Sequence, residues 1–403
     1  MKYVVFLGDG MADFPCEALG GKTPLEVAHK PHMDILAKKG TLGLAKTVDD
    51  SLKPGSDVAN LSVLGYDPLL YYSGRSPLEA LSIGVDLKPT DITFRANLVA
   101  LTEEADYSDK SMKDYSAGEI TTEEAAELIN YLKEHLNVPG FSLHCGISYR
   151  HLLVWDKGSL EVSLTPPHDI SGKKIAEYLP DGTYGAQLLA IMKESHALLK
   201  NHPVNESRKK RGLSPADSLW IWGEGTKPAL DDFYVKYGVR ASMISAVDLL
   251  KGIGVGTGMQ VIEIPGATGN IDTNFDGKAE AAINELKKGQ DFVYIHVEAP
   301  DECGHHGQCD LKIRSIELID EKIIAPVIAY LDESGEDYRV LITPDHPTPL
   351  TLMTHVKNPV PFVLYEKGQT NGSGLSYTEK NAEKADLFLE KGYKLMEELL
   401  QKA

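Results

Sequence analysis

Short β-branched or aromatic runs alternate with amphipathic segments along most of this chain, and polar residues stand just beyond the ends of several runs. YVVFL leads to Asp9, FVYIHV to Asp301, and RVLIT to Asp345 and His346. Strands separated by helices imply a mainly parallel sheet with helices on both faces. Loops at the carboxyl ends of such strands converge on one crevice, where ligands bind. The expected fold class is therefore α/β, with the chemistry at the strand ends.

The alternation is interrupted once. In the first ninety or so residues, PLEVAHKPHMDILAKKG reads as an amphipathic helix closing at Gly40 and LGLAKTV as a second strand. After PGSDVANLSVLGYD the texture changes to alternating strands (FRANLVAL, HLLVW, LEVSL) and one helix, TTEEAAELINYLKEHL, opened by Thr122. Alternation resumes with a long helix, TYGAQLLAIMKESHALLKNH, and strands LWIWG, ASMIS, MQVIEI, FVYIHV, YRVLIT and PFVLY. NAEKADLFLEKGYKLMEELLQKA closes the chain as a helix. The expected division is a core of residues 1–90 with 182–403, and an inserted α+β cap of residues 91–181. GIGVGTG (252–258) reads as a glycine-rich turn without the lysine and Ser/Thr of a P-loop.

With 41 Lys and Arg against 59 Asp and Glu, the formal charge of -18 argues against nucleic-acid binding, which draws on a Lys/Arg surplus. It leaves an anionic substrate open, because local arginines and metals set the potential inside a cleft. Four scattered cysteines do not make a disulfide framework in 403 residues. The apolar run before Asp9 is too short for a signal peptide, and no run approaches a membrane span. A reduced, cytoplasmic protein is expected, with neither membrane nor nucleic acid as partner.

Seven residues are candidate metal ligands: Asp9, Ser56, Asp301, His305, Asp345, His346 and His355. Oxygen donors and imidazoles together suit two divalent ions of the Mn, Zn or Mg type. Asp301 and His305 are four residues apart in PDECGHHG, with Gly304 letting the backbone bend; a solvated polar loop is the plainer alternative. Cys303 and Cys309 flank the histidines, but without a second cysteine pair they make a poor zinc site. Asp345-His346 follows a strand directly, and His355 comes nine residues after His346 in a Pro-flanked stretch. Ser56, just before a helix, is the candidate nucleophile, since helix-terminal amides stabilise a phosphate and a metal can activate a hydroxyl. A simple N-cap is the equal alternative at that position. Arg75, Arg95, Arg150, Arg208, Arg211 and Lys227 are candidate anion clamps, with SRKKRG (207–212) reading as a solvated helix end.

Taken together, GKTPLEVAHKPHMDILAKKG, PGSDVANLSVLGYDP, GRSPLEA, FRANLV, SLWIWGEGTKP, AVDLLKGIG and the metal motifs resemble the cofactor-independent phosphoglycerate mutases. The likeness is to their shorter archaeal form, within the alkaline-phosphatase-like metalloenzymes. That resemblance implies an alkaline-phosphatase-like core, two divalent ions with Mn2+ the first choice and Zn2+ or Mg2+ also suited, and no bisphosphoglycerate. Asp301, His305 and His355 would hold one ion; Asp9, Ser56, Asp345 and His346 the other. Ser56 would take the phosphoryl group of a small phosphorylated metabolite, interconverting 3-phosphoglycerate and 2-phosphoglycerate through a phosphoserine. Arg95, Arg150 and Lys227 would bind substrate. One segment departs: where archaeal-type mutases have an arginine-rich stretch resembling DRRAGRI, this chain has DYSAGEI (114–120), with Glu119 where an arginine would stand. A substrate bearing an ammonium group would suit that change. Chains of this subtype resemble a relative proposed as a homoserine kinase in threonine synthesis, which is the alternative function.

Overall fold

The run that opens the chain becomes β1 (Lys2–Gly8), buried from Val4 to Gly8, in a computed structural model that describes residues 1–401. In chain order follow β2 (Thr41–Ala45), β3 (Ile92–Leu101), β4 (Met112–Asp114), β5 (Phe141–His144), β6 (Arg150–Trp155) and β7 (Ser218–Thr226). Then come β8 (Ala241–Ile244), β9 (Gln260–Ile262), β10 (Phe292–Val297), β11 (Tyr338–Thr343), β12 (Val360–Glu366) and β13 (Phe388–Leu389). The chain divides into two units: Met1–Tyr72 with Ala229–Ala403, and Ser73–Pro228.

The larger unit is built on a sheet ordered β13-β2-β12-β11-β1-β10-β8-β9. Among the described residues five of its seven pairings are parallel, and β12 alone runs against its neighbours. Side chains alternate between faces along a strand, so the complete burial of β10 and β11 requires cover on both faces, as a mainly parallel sheet demands. Gly8 is level with Val297, and Leu7 with Thr343, so three adjacent strands end together. That register brings the residues following them to one edge.

Several helices differ from the sequence reading. The segment closing at Gly40 is two helices, Pro24–Val27 and Pro31–Lys39, because Pro31 disfavours helical backbone at Lys30. Asp320, buried in a π-helical turn (Asp320–Ile324), accepts the first free amides of the second helix, His32 N at 3.2 Å and Met33 N at 2.7 Å. GIGVGTG lies mostly in a helix, Asp248–Gly256, not in a turn. A Cβ at Gly254 would sit 2.9 Å from Val261 Cγ2, so the glycine there serves close helix–sheet packing. The closing segment is two short helices, Glu379–Lys384 and Leu395–Leu400, with β13 paired to β2 between them.

The smaller unit holds a five-stranded antiparallel sheet, β4-β3-β6-β5 with β7 also on β3. It begins before residue 91 and ends after residue 181. Ser76 donates to the Thr93 carbonyl (3.1 Å), Thr226 N donates to Ser73 O (3.0 Å), and LWIWG pairs as β7 with β3. LEVSL forms an isolated bridge from Ser163 to Asp181 in place of a strand. The Thr122–His135 helix is capped by Thr121, whose hydroxyl accepts from Glu124 N. Among the described residues no helix is long and apolar enough to cross a membrane.

Candidate metal centre

The seven expected ligands all fall in the larger unit. Asp9 follows β1 directly. Gly10 next to it has φ 60°, and a Cβ there would lie 2.4 Å from Asp301 Oδ1, so glycine admits both the turn and the close carboxylate. Asp301 and His305 lie on a helix, Ala299–His305, where their four-residue spacing puts both on one face. Gly304 is therefore helical, and its missing side chain lets Thr348 O approach where a Cβ would stand at 2.5 Å. Asp345 and His346 follow β11. Ser56 is the first residue of the Ser56–Val63 helix; Gly55 is the N-cap, and no side chain fills the capping role. The Ser56 hydroxyl is thus free to reach His346 Nε2 at 3.2 Å.

Two triads bring ligand atoms within 4.8 Å of one another: Asp9, Asp345 and His346, and Asp301, His346 and His355. His346 belongs to both. His305 Nε2 lies 3.2 Å from Asp301 Oδ2 and 2.8 Å from His355 Nε2, beside the second triad. His355 Nε2 is 3.4 Å from Asp301 Oδ1, and His346 Nε2 is 3.5 Å from both Asp9 Oδ1 and Asp345 Oδ2.

The charges are unbalanced in a way that fits divalent cations. Burial, reinforced by Asp345, Asp301 and Glu298, pushes the Asp9 carboxyl well above its usual range. Among the described residues its buried Oδ1 has no hydrogen-bond partner, while Oδ2 receives His296 Nε2 at 2.9 Å. Burial also works against the Asp301 carboxylate, but His305, His355 and His346 outweigh it and hold the group well below normal. The hydrogen bond to Asp301 raises His305 to about 9, whereas burial lowers His346. Carboxylate oxygens and imidazole nitrogens, set close and largely dry, are the donor set of Mn, Zn or Mg.

Supporting residues escaped the sequence reading. His296, pushed by burial to about 3, is neutral and fixes Asp9 while meeting Ser245 Oγ at 3.1 Å. Its place in the apolar run FVYIHV was the available signal. Thr348 donates to Asp301 Oδ1, and the buried Lys312 reaches Thr348 O (2.8 Å) and Asp13 Oδ2 (2.7 Å), tying down the loop after His346.

The expected substrate residues lie in the smaller unit. Arg95, on β3, is 7% exposed; its Nε donates to Glu79 Oε2 at 3.0 Å and its guanidinium lies 4.2 Å over Trp222. Arg75 Nε donates to Glu79 Oε1 at 3.1 Å, and Arg150, exposed at the start of β6, lies 5.5 Å over Tyr149. Burial lowers Arg95 to about 10 against the pull of Glu79. Lys227 donates to Leu87 O at 2.5 Å and stands 3.9 Å from Asp86. DYSAGEI is a left-handed turn, with φ of 50°, 67° and 52° at Ala117, Gly118 and Glu119. Arg208 is not solvated but 2% exposed, and it donates to Ala117 O at 2.6 Å.

A family model described as 2,3-bisphosphoglycerate-independent phosphoglycerate mutase matches residues 37–205. The chain is 48% identical, over 403 residues and 100% of each chain, to a probable 2,3-bisphosphoglycerate-independent phosphoglycerate mutase of Geobacter sulfurreducens. It is 50% identical over 398 residues, 98% of each chain, to the 2,3-bisphosphoglycerate-independent phosphoglycerate mutase of Methanosarcina barkeri. Among solved structures, the PH0037 protein from Pyrococcus horikoshii is similar at TM-score 0.82 and 30% identity, covering 100% of this chain and 98% of that one. The cofactor-independent phosphoglycerate mutase from Thermoplasma acidophilum is similar at TM-score 0.67 and 27% identity, covering 100% and 99%.

Proposed function

The chain belongs to the 2,3-bisphosphoglycerate-independent phosphoglycerate mutases, and on that premise we propose that it interconverts 3-phosphoglycerate and 2-phosphoglycerate through a phosphoserine at Ser56. The observation that carries the residue assignment is the Ser56 hydroxyl, released from capping and 3.2 Å from His346 Nε2 inside the ligand cluster. Ser56 Oγ attacks phosphorus, the bond from phosphorus to the glycerate oxygen breaks, and the proton count balances as the serine loses one and glycerate gains one. The N-terminus of the Ser56–Val63 helix would favour the anionic phosphoryl group, although Val58 N is already engaged, donating to Asp57 Oδ1 at 2.9 Å. The second hydroxyl of glycerate then takes the group back by the reverse displacement.

Asp9, Asp345 and His346, with Ser56, would hold one divalent ion; Asp301, His355 and His305 would hold the other, with His346 within reach of both. Bound ions would stabilise the attacking and leaving oxygens of each in-line displacement. Mn2+ is the first choice for this donor set, with Zn2+ and Mg2+ accepted by the same ligands. Arg75, Arg95 and Arg150, whose charges outnumber Glu79, suit the substrate's anionic groups. Lys227 is the weaker candidate, given its bond to Leu87 O. Cys16, Cys145, Cys303 and Cys309 are all free thiols, in keeping with a reducing cytoplasm.

A second reading, phosphotransfer to an amino alcohol such as homoserine, is favoured by one observation. Glu119 is held at positive φ in the DYSAGEI turn, and the Tyr149 phenol, raised by burial, feels the charges of both Arg150 and Glu119. Paired opposite charges suit a zwitterion. The test is phosphorus NMR of the Mn2+-loaded protein with 3-phosphoglycerate. Appearance of the 2-phospho isomer without bisphosphoglycerate supports the mutase; no conversion by a protein with two ions bound rejects it and turns attention to homoserine.

A further inference from the structure

Asn60 lies one helical turn beyond Ser56 and is fully buried. Its Nδ2 donates to Ser56 O (2.8 Å) and to Asp345 Oδ2 (2.8 Å), and its Oδ1 accepts from the Tyr294 hydroxyl (2.6 Å). A carbonyl and a carboxylate can only accept, so the NH2 group must face them, which leaves Oδ1 for Tyr294. The other oxygen of Asp345 is already engaged by Gly10 N (3.1 Å) and His346 N (2.8 Å). Every polar atom of the Asn60 amide therefore has a partner, and one orientation of the amide satisfies all of them.

We propose that Asn60 is a positioning residue that locks the nucleophile to the metal carboxylate, with Tyr294 fixing the orientation of its amide. The inference rests on Ser56 as nucleophile and Asp345 as metal ligand. Asn60 ties the helix carrying the serine to the loop carrying the ligand, across 285 residues of sequence. A mutase needs that tie because the same serine must accept a phosphoryl group and return it from one position. A misplacement of about 1 Å costs on the order of 100-fold in rate. Tyr294 feels the Asp345 charge, but its hydroxyl donates to Asn60 and not to Ser56 or Asp345, so its hold on the nucleophile passes through Asn60.

The test uses full-length Asn60→Ala, Tyr294→Phe and the double variant. For each, kcat and KM for 3-phosphoglycerate, phosphorylation of Ser56, and Mn2+ affinity by calorimetry of chelator-stripped protein are measured. Asn60→Ala is expected to lower kcat about 100-fold with KM little changed, and Tyr294→Phe about tenfold or less, as for one hydrogen bond. Both should weaken Mn2+ binding, and the double variant should resemble Asn60→Ala alone, because the two residues act in series. Fully multiplicative losses, or a Tyr294→Phe protein unchanged in both kcat and Mn2+ affinity, would overturn the proposal. If Asn60→Ala does not fold, Tyr294→Phe decides alone. Wild-type protein that binds Mn2+ without ever forming phosphoserine would reject the proposed function instead, and the affinity data would still read the coupling.

Discussion

The larger unit gathers Asp9, Asp345 and Asp301 near one another, whereas the smaller sets Arg95 and Arg75 on Glu79 and stacks Arg95 on Trp222. In the first cluster burial, Asp345 and Asp301 raise Asp9, and one buried oxygen of Asp9 has no hydrogen-bond partner among the described residues. In the second, the buried guanidinium is paired and covered, while Arg150 stays exposed. The surplus is negative in one cluster and positive in the other, and each surplus defines the ligand its residues suit: cations for the carboxylates of the larger unit, anionic groups for the arginines of the smaller. Clusters that resist self-neutralisation are costly as scaffolding, so chemistry is the economical explanation of both.

The sharpest way to break this contrast is Ser56→Ala, which should cut turnover by more than about 10^4-fold with the unfolding temperature of the metal-free protein as it was. It should also weaken the cation site of Asp9, Asp345 and His346, which loses one ligand. Turnover surviving with no phosphorylated serine would remove Ser56 from its role. Next, His355→Ala should weaken one of two cation sites by at least about 100-fold; metal analysis that still counts two full sites would contradict the assignment.

The smaller unit should respond differently. Arg150→Ala should raise KM about tenfold, the worth of one charge-assisted contact, with no loss of stability because the side chain is exposed. Arg95→Met should raise KM too, but also destabilise the protein by about 3 kcal/mol, since it strips one guanidinium from Glu79. Equal thermal shifts for the two variants would mean that both arginines are scaffold.

The smallest effect is one of pH. Burial raises Glu379 in the larger unit to about 7 and Asp217 in the smaller to about 6. A carboxyl raised in the folded state binds its proton more tightly there than in the unfolded chain. Its contribution is therefore full below the unfolded value near 4 and is lost as pH rises through the folded value. Thermal unfolding from pH 4 to 8 should show that decline, and Glu379→Gln and Asp217→Asn should each flatten their share; unchanged slopes would show that these groups do not govern it.

Legibility in the sequence followed the range of the contacts. Asp9, Asp301, Asp345 and His346 could be found because strand-end polar residues meet in any parallel sheet. His305 and His355 could be named as candidates because a carboxylate–imidazole spacing and a Pro-flanked histidine suggest ligation. LWIWG was read as part of the main sheet, since a buried apolar run records its burial and not its partner strand, which is β3. SRKKRG looked solvated because no pattern announces that Arg208 turns inward to Ala117 O and Glu124. Asn60, His296 and Lys312 were missed for the same reason: their partners lie far away in sequence, 299 residues in the case of Lys312 and Asp13.

The sequence by itself determined the α/β class and supplied the candidate ligands and the candidate nucleophile, because hydrophobic period and donor chemistry are local properties. The tertiary structure alone decided that His346 stands within reach of both triads, that Gly55 rather than Ser56 caps the helix, and that Asn60 joins Ser56 to Asp345. Those outcomes depend on strand register and on the angle at which a helix leaves the sheet. Such quantities are set by packing across hundreds of residues and are written in no single segment.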